Sequence, residues 1–239
     1  MKNTIKVLAI IALAAVIGFS FAACDNGGGG GDDGPSPYLG ETVTISDDQV
    51  YMYDEDTSKF TAFNGNLKLK EENGVSGEIK GGKLTLTLAA PTSGSTVLEG
   101  FVEFLSMRLH YKTANELLFE GLGITSLGVY IDEIEIVDSD DWAFMTKDNS
   151  LDTNDEPDEW MIYMYVAEDV KITTEKGITE TDEDGETDKY DKLNLSLKKG
   201  WNAVCYKYSW KGTTTTHSMY MGNPKNLKWL LYYNDEEDD

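Results

Sequence analysis

Histidine, cysteine and proline are scarce in this chain of 239 residues, which holds two, two and five of them. His110 and His217 stand far apart, and neither lies in a metal-ligand spacing such as HExxH. No GxSxG elbow, Walker loop or dinucleotide fingerprint occurs, and the glycines around Gly121, Gly123 and Gly128 make no phosphate loop. Catalysis therefore finds little support. A glycosidase, which needs only two carboxylates at a suitable separation, is the one enzyme class that 43 acidic residues leave open. Positive charge is short as well: 20 basic residues against those 43 give a net charge of −23. Such a field repels nucleic acid and anionic lipid and favours cations or basic partners. Plain solubility explains it equally well, but no nucleic acid is expected as a partner.

The apolar residues are concentrated first at the N-terminus. Lys2 and Lys6 precede an uncharged run from Val7 to Ala23, which is the layout of a secretory signal peptide. The run is long enough for a bilayer span, but it ends in Phe21-Ala22-Ala23-Cys24. That ending resembles the lipobox of bacterial lipoproteins, with Phe21 where leucine is usual. The resemblance implies cleavage before Cys24, a diacylglycerol on its sulfur and an acyl chain on its amino group. Each buried methylene contributes about 0.8 kcal/mol, so two or three chains anchor where one binds only reversibly. The expected partner at this end is the membrane, reached through the N-terminal acyl chains. Asp25 resembles an inner-membrane retention signal of enteric bacteria, a rule that does not carry to all lineages. The expected address is thus the cell envelope, with the outer membrane or surface favoured and the inner membrane open. An acylated Cys24 leaves Cys205 unpaired, and its strand-like surroundings make it a small buried hydrophobe. Without Lys2 and Lys6, 18 basic residues face 43 acidic ones, or −25.

Residues 1–23 thus read as signal peptide and 24–37 as acylated cysteine plus a flexible linker with five consecutive glycines. A β-rich domain follows over 38–233, with an acidic tail at 234–239. Within the domain, apolar residues alternate with polar ones at the strand period. Leu67 and Leu69, Ile79, and Leu84, Leu86 and Leu88 mark three strands joined by Asn73-Gly74 and Gly81-Gly82 turns, a β-meander. Val129 to Val137 changes phase, which predicts a bulge near Asp132-Glu133. Trp160 to Val166 is apolar on both faces and predicts a central strand covered on each side. Val170 and Ile172, then Leu193, Leu195 and Leu197, continue the pattern, and Leu227, Trp229, Leu231 and Tyr233 close it.

One segment departs from this period. Leu98, Phe101, Val102, Leu105 and Leu109 fall at helical spacing behind a Thr96–Glu99 capping box. Thr113 and Glu116 repeat the box ahead of Leu117 and Leu118. One short amphipathic helix and a second helical turn are expected, plugging the open end of the sheets or, alternatively, forming a lid.

Three stretches carry a second resemblance: Val75-Ser76-Gly77-Glu78-Ile79 with Gly82-Lys83-Leu84-Thr85-Leu86; Tyr163 to Ile172; and Leu193 to Asn202. With the signal peptide and linker they resemble lipoproteins that occur in many copies in spirochaetes. The resemblance brings no activity and no catalytic residues; it implies an envelope protein suited to surface display.

Two candidate sites remain. Glu180, Asp182, Asp184, Asp188 and Asp191, with Gly185 and Glu186, occupy the ligand positions of an EF-hand-like calcium loop, so Ca2+ is the cofactor to consider. The pattern departs from that loop at both ends, where Glu180 and Asp191 exchange the usual Asp and Glu, and the flanks are strand-like. An acidic β-hairpin turning at Asp184-Gly185 is the competing reading. Asp148 to Glu159 is a second acidic stretch and reads as a solvated loop. The C-terminal part is aromatic. Tyr208 and Trp210 share a strand face and form a candidate sugar-stacking platform, although strands favour aromatics for core packing anyway. His217, behind four threonines, is expected to face solvent. The fold expected is mainly β, an antiparallel β-sandwich-like domain with one short inserted helix. The function expected is that of a lipid-anchored, non-catalytic interaction domain. Its rivals are a calcium- or carbohydrate-binding module and a glycosidase-like enzyme, and the protein or glycan partner is unknown.

Overall fold

A computed structural model describes residues 36–54, 57–94, 117–120, 128–131, 133–137, 142–153 and 159–234. The signal peptide, Cys24, most of the linker, the helical spacing from Leu98 to Leu109 and both capping boxes lie outside the described residues. The chain begins with β1 (Tyr38–Gly40), β2 (Val43–Asp47), β3 (Tyr51–Asp54), β4 (Lys59–Ala62), β5 (Asn66–Lys68), β6 (Val75–Lys80) and β7 (Lys83–Leu88). Next come β8 (Leu117–Glu120), β9 (Gly128–Ile131), β10 (Ile134–Glu135), β11 (Trp142–Asp148) and one helical turn, α1 (Ser150–Thr153). The second half holds β12 (Glu159–Val166), β13 (Val170–Thr174), β14 (Ile178–Thr181), β15 (Thr187–Tyr190) and β16 (Asn194–Leu197). It ends with β17 (Gly200–Lys211), β18 (Thr214–Met221) and β19 (Lys228–Asn234). Among the described residues no helix is long and apolar enough to cross a membrane.

The predicted meander forms as read. β5, β6 and β7 pair antiparallel in sequence order, and β2 adds to the far edge of β7 to complete a four-stranded sheet. Both turns use residues that tolerate a left-handed backbone: Asn73 and Gly74 have φ of 49° and 85°, Gly81 and Gly82 of 56° and 81°. Two consecutive positive φ values give the turn whose twist matches that of the flanking strands.

β12 is the centre of the molecule, and the reason is its two-sided apolar sequence. Met161, Tyr163 and Tyr165 point into one buried cluster with Ile79, Leu84, Leu86 and Leu88 of the four-stranded sheet. Ile162, Met164 and Val166 point into a second cluster with Val170, Ile172, Leu195 and Leu197. That second cluster lies under a three-stranded sheet ordered β16-β13-β8. The strand is thus covered on both faces, as its composition requires.

The large sheet containing β12 runs β14-β15-β18-β17-β12-β11-β19-β3-β4, with β1 also pairing to β17, β9 to β12 and β10 to β11. It is mixed, because β15 runs parallel to β18 and β19 parallel to β3. A mainly β domain is therefore present, but a clean two-sheet antiparallel sandwich is not. Three sheets share two cores, and two long-range parallel pairings replace hairpin connections.

Two local expectations are corrected. Leu117 and Leu118 do not open a helical turn; they lie in β8 and pair with Thr174 and Thr173 of β13. The edge of β13 supplies the ladder partners that their backbone groups would otherwise lack. The phase slip between Ile131 and Ile134 is not a bulge in one strand. β9 pairs with β12 while β10 pairs with β11, so the chain changes partners between them. The fork exists because β11 and β12 meet only at Asp148 and Trp160. At the domain's start, Pro37 already belongs to it: its carbonyl accepts the Ala203 N–H at 2.8 Å.

Candidate functional site

The acidic stretch from Glu180 to Asp191 folds as a hairpin, β14 against β15, and the loop at its tip is organised by one side chain. Asp182 Oδ1 accepts the backbone N–H groups of Asp184 at 3.0 Å and Glu186 at 2.9 Å. Glu180 and Asp188 face each other across the strands. Asp188 Oδ1 reaches His217 Nε2 at 3.2 Å, and Asp191 donates its N–H to the His217 carbonyl at 2.8 Å. The five carboxylates read as calcium ligands are thus spread along a hairpin, with Asp182 committed to its own loop. Among the described residues no three His, Cys, Asp or Glu side chains gather into a set that would hold a metal ion.

The hairpin is laid beside β18, and this placement builds an aromatic surface. In register, Trp210 faces Thr215, Thr215 faces Asp188 and Asp188 faces Glu180. The next row inward is Tyr208, His217, Tyr190 and Ile178. Tyr208 and Trp210 share a face as predicted, with rings 4.6 Å apart edge-to-face. Trp160 adds a third ring, 5.9 Å from Tyr208 and 4.4 Å from Tyr206. Trp210 is 59% exposed while Tyr206 is buried. The sequence contrast between platform and core thus resolves along a single strand: the inner aromatics pack and the outermost one projects.

His217 is not a solvent-facing residue. Its side chain is only 15% exposed. Its ring stacks on Tyr190 at 4.6 Å, and Nδ1 meets the Tyr206 hydroxyl at 2.6 Å. Parallel β15 covers it, and no local signal in the Thr213–Thr216 run announces that pairing. The two ring nitrogens of His217 thus bridge Asp188 and the Tyr206 hydroxyl. The Asp188–His217–Tyr206 relay leads from the surface into the core, since its tyrosine end is buried; its geometry anchors the hairpin.

The second acidic stretch is also corrected, because both its ends are buried strand residues. Asp148 is 2% exposed and accepts the Ser150 N–H at 2.9 Å, with the Thr146 hydroxyl also donating to it. Glu159 accepts the Tyr220 hydroxyl and lies 3.9 Å from Lys207 Nζ. Asp148 pairs with Trp160, so it shares that residue's face and Glu159 takes the opposite one. These two buried carboxylates flank opposite sides of a sheet and cannot bracket one glycosidic bond.

Burial pushes the Asp148 carboxyl above its ordinary value of 3.8, against the lowering effect of its hydrogen bonds to Thr146 and Ser150. A raised folded-state pKa means that the folded state binds the proton more tightly than the unfolded chain. Asp148's contribution to stability is then fully present below pH 3.8 and is lost as pH rises through the folded value. Asp148→Asn, which keeps the oxygen that accepts from Ser150, is expected to gain stability relative to the parent from pH 4 upward. Urea midpoints of both proteins across pH 4 to 8 test this; a constant difference would disprove the linkage.

Cys205 is fully buried opposite Tyr220 of β18, and burial pushes its thiol up to about 12. It is inert packing, as its strand context predicts. At the margin between the four-stranded and large sheets, Lys70 bridges Glu135 and Glu72, the latter at 3.2 Å, at the rim of an open pocket of about 170 Å³. Comparison with known proteins adds no relative: no family model matches the chain, and no curated protein or solved structure is significantly similar to it.

Proposed function

We propose that this chain is a lipid-anchored, non-catalytic interaction domain of the bacterial cell envelope, held by acyl chains on Cys24 and carried on a β-sandwich-like frame. The anchor rests on the sequence from Lys2 to Cys24 and on its likeness to the lipobox. The interaction rests on one observation: Trp210 projects into solvent beside Tyr208 at the outer end of β17. Trp210 is the most exposed of the large apolar side chains among the described residues, and tryptophan is enriched where proteins contact partners. The exposed Trp210 ring also favours a second reading, a carbohydrate-binding module, because sugar rings lie against exposed indole faces.

The anchor is tested by expressing the full chain in bacteria with an alkyne-tagged fatty acid. The parent protein is expected to take the label and sediment with membranes, and Cys24→Ala to lose both properties completely. Label retained by Cys24→Ala would remove the lipoprotein assignment.

A further inference from the structure

The chemistry around Trp210 points to the kind of partner that this surface takes. The inference rests on the interaction reading above and narrows it. Adjacent strands lie about 4.8 Å apart, so Asp188, two strands from Trp210, stands about 10 Å from it on the same face. The side chain of Asp188 keeps half its area exposed while its Oδ1 holds His217. Beyond it the hairpin tip places Asp182, Glu183, Asp184 and Glu186 at the surface, all exposed. The aromatic end of β17 and β18 is therefore bordered by a row of carboxylates, on a chain of net charge −23.

A neutral sugar can donate hydroxyl hydrogen bonds to that border but gains no charge attraction from it. A cation gains twice, from the quadrupole of the exposed indole and from the carboxylates. Like-facing residues of an extended peptide are about 7 Å apart, so two cations spaced two or three residues apart span the gap between ring and carboxylate. A row of acids would repel an anionic lipid surface or a nucleic acid.

We propose that the exposed face of β17, β18 and β15 docks a basic polypeptide segment, with one lysine or arginine cation over Trp210 and a second paired with Asp188 and the hairpin carboxylates. Trp210 supplies position and the carboxylates supply attraction and register. The relay through His217 keeps Asp188 at a fixed place on the face, so the ligand meets an ordered charge.

The test is calorimetric titration of the full chain, in mild detergent and 150 mM salt, with a peptide of nine arginines and separately with cellohexaose. The arginine peptide is expected to bind, Trp210→Ala to weaken it about tenfold, and Asp188→Asn to weaken it and flatten its salt dependence. Asp48→Asn, which removes a still more exposed charge from another part of the surface, is expected to leave binding unchanged. Thermal melts should show every variant folded at the titration temperature, with Asp188→Asn keeping an oxygen that accepts from His217. Equal weakening by Asp48→Asn, or none by Trp210→Ala, would reduce the effect to diffuse attraction and overturn the proposal. Trp210-dependent binding of cellohexaose without the arginine peptide would overturn the cation while leaving the interaction reading standing. Binding of neither would remove both the cation and the contact surface.

Discussion

Asn202→Asp is expected to lower the unfolding free energy by about 4 kcal/mol, a large share of the roughly 5–15 kcal/mol typical of a folded domain. Asn202 is completely buried in β17, and its amide is fully employed. Nδ2 donates to the carbonyls of Lys198 at 2.8 Å, Gly200 at 2.9 Å and Met164 at 3.3 Å, while Oδ1 accepts the Lys198 N–H at 2.9 Å. One side chain thus fixes the turn by which the chain passes from β16, in the three-stranded sheet, to β17 in the large one. Aspartate keeps the volume but sets a carboxylate against three carbonyl oxygens, a buried charge with no cation at hand. Asn202→Ala, which only abandons the bonds, should cost about 2–3 kcal/mol. Urea denaturation followed by far-UV circular dichroism measures both. An aspartate variant within 1 kcal/mol of the parent would mean that the turn holds without its amide.

Trp201→Ala, one residue away on the opposite face, should cost about 3–5 kcal/mol. Its indole is 1% exposed, packs edge-to-face on Tyr165 at 5.4 Å and donates Nε1–H to the Ala89 carbonyl at 3.0 Å. Ala89 directly follows β7, so this hydrogen bond ties the four-stranded sheet to the large one. Trp229 provides the contrast. It is equally buried and stacks on Tyr163 at 6.1 Å, but its Nε1–H has no partner among the described residues. Trp201→Phe orphans a carbonyl, whereas Trp229→Phe removes an orphaned donor. Trp201→Phe should therefore cost about 1 kcal/mol more than Trp229→Phe. The reverse order, measured by the same urea method, would place the tie between the sheets elsewhere.

Which parts of this architecture are legible in the sequence follows from how local their causes are. The β5–β6–β7 meander is readable because alternation and positive-φ turn residues lie within a few positions of one another. β12 is readable because burial on both faces leaves no polar alternation. The parallel pairs β15–β18 and β19–β3 are not readable, since each joins segments with nothing between them that specifies their adjacency. The reading of His217 fails for that reason: the strand that covers it arrives from 27 residues upstream, at Tyr190. The burial of Asp148 and Glu159 is hidden by their acidic neighbours, although the apolar run beginning at Trp160 marks where the solvated loop must end. The Tyr208–Trp210 pair is legible as a shared face. Its division into a packed ring and a projecting one depends on Trp160 and His217, which arrive beside Tyr208 from other strands.

The strand order also bears on how the chain can be delivered. β3 and β4 join the large sheet only through β19, the last strand of the domain. Nearly the whole polypeptide must be present before its first hairpin has a neighbour, and pairing across such separations is slow. A nascent chain therefore cannot lock this sheet while the ribosome still holds its end. Nor can one that has lost its final ten residues connect the two ends of the sheet. For the exported chain proposed above, β3 and β4 thus stay outside the large sheet until β19 has been made.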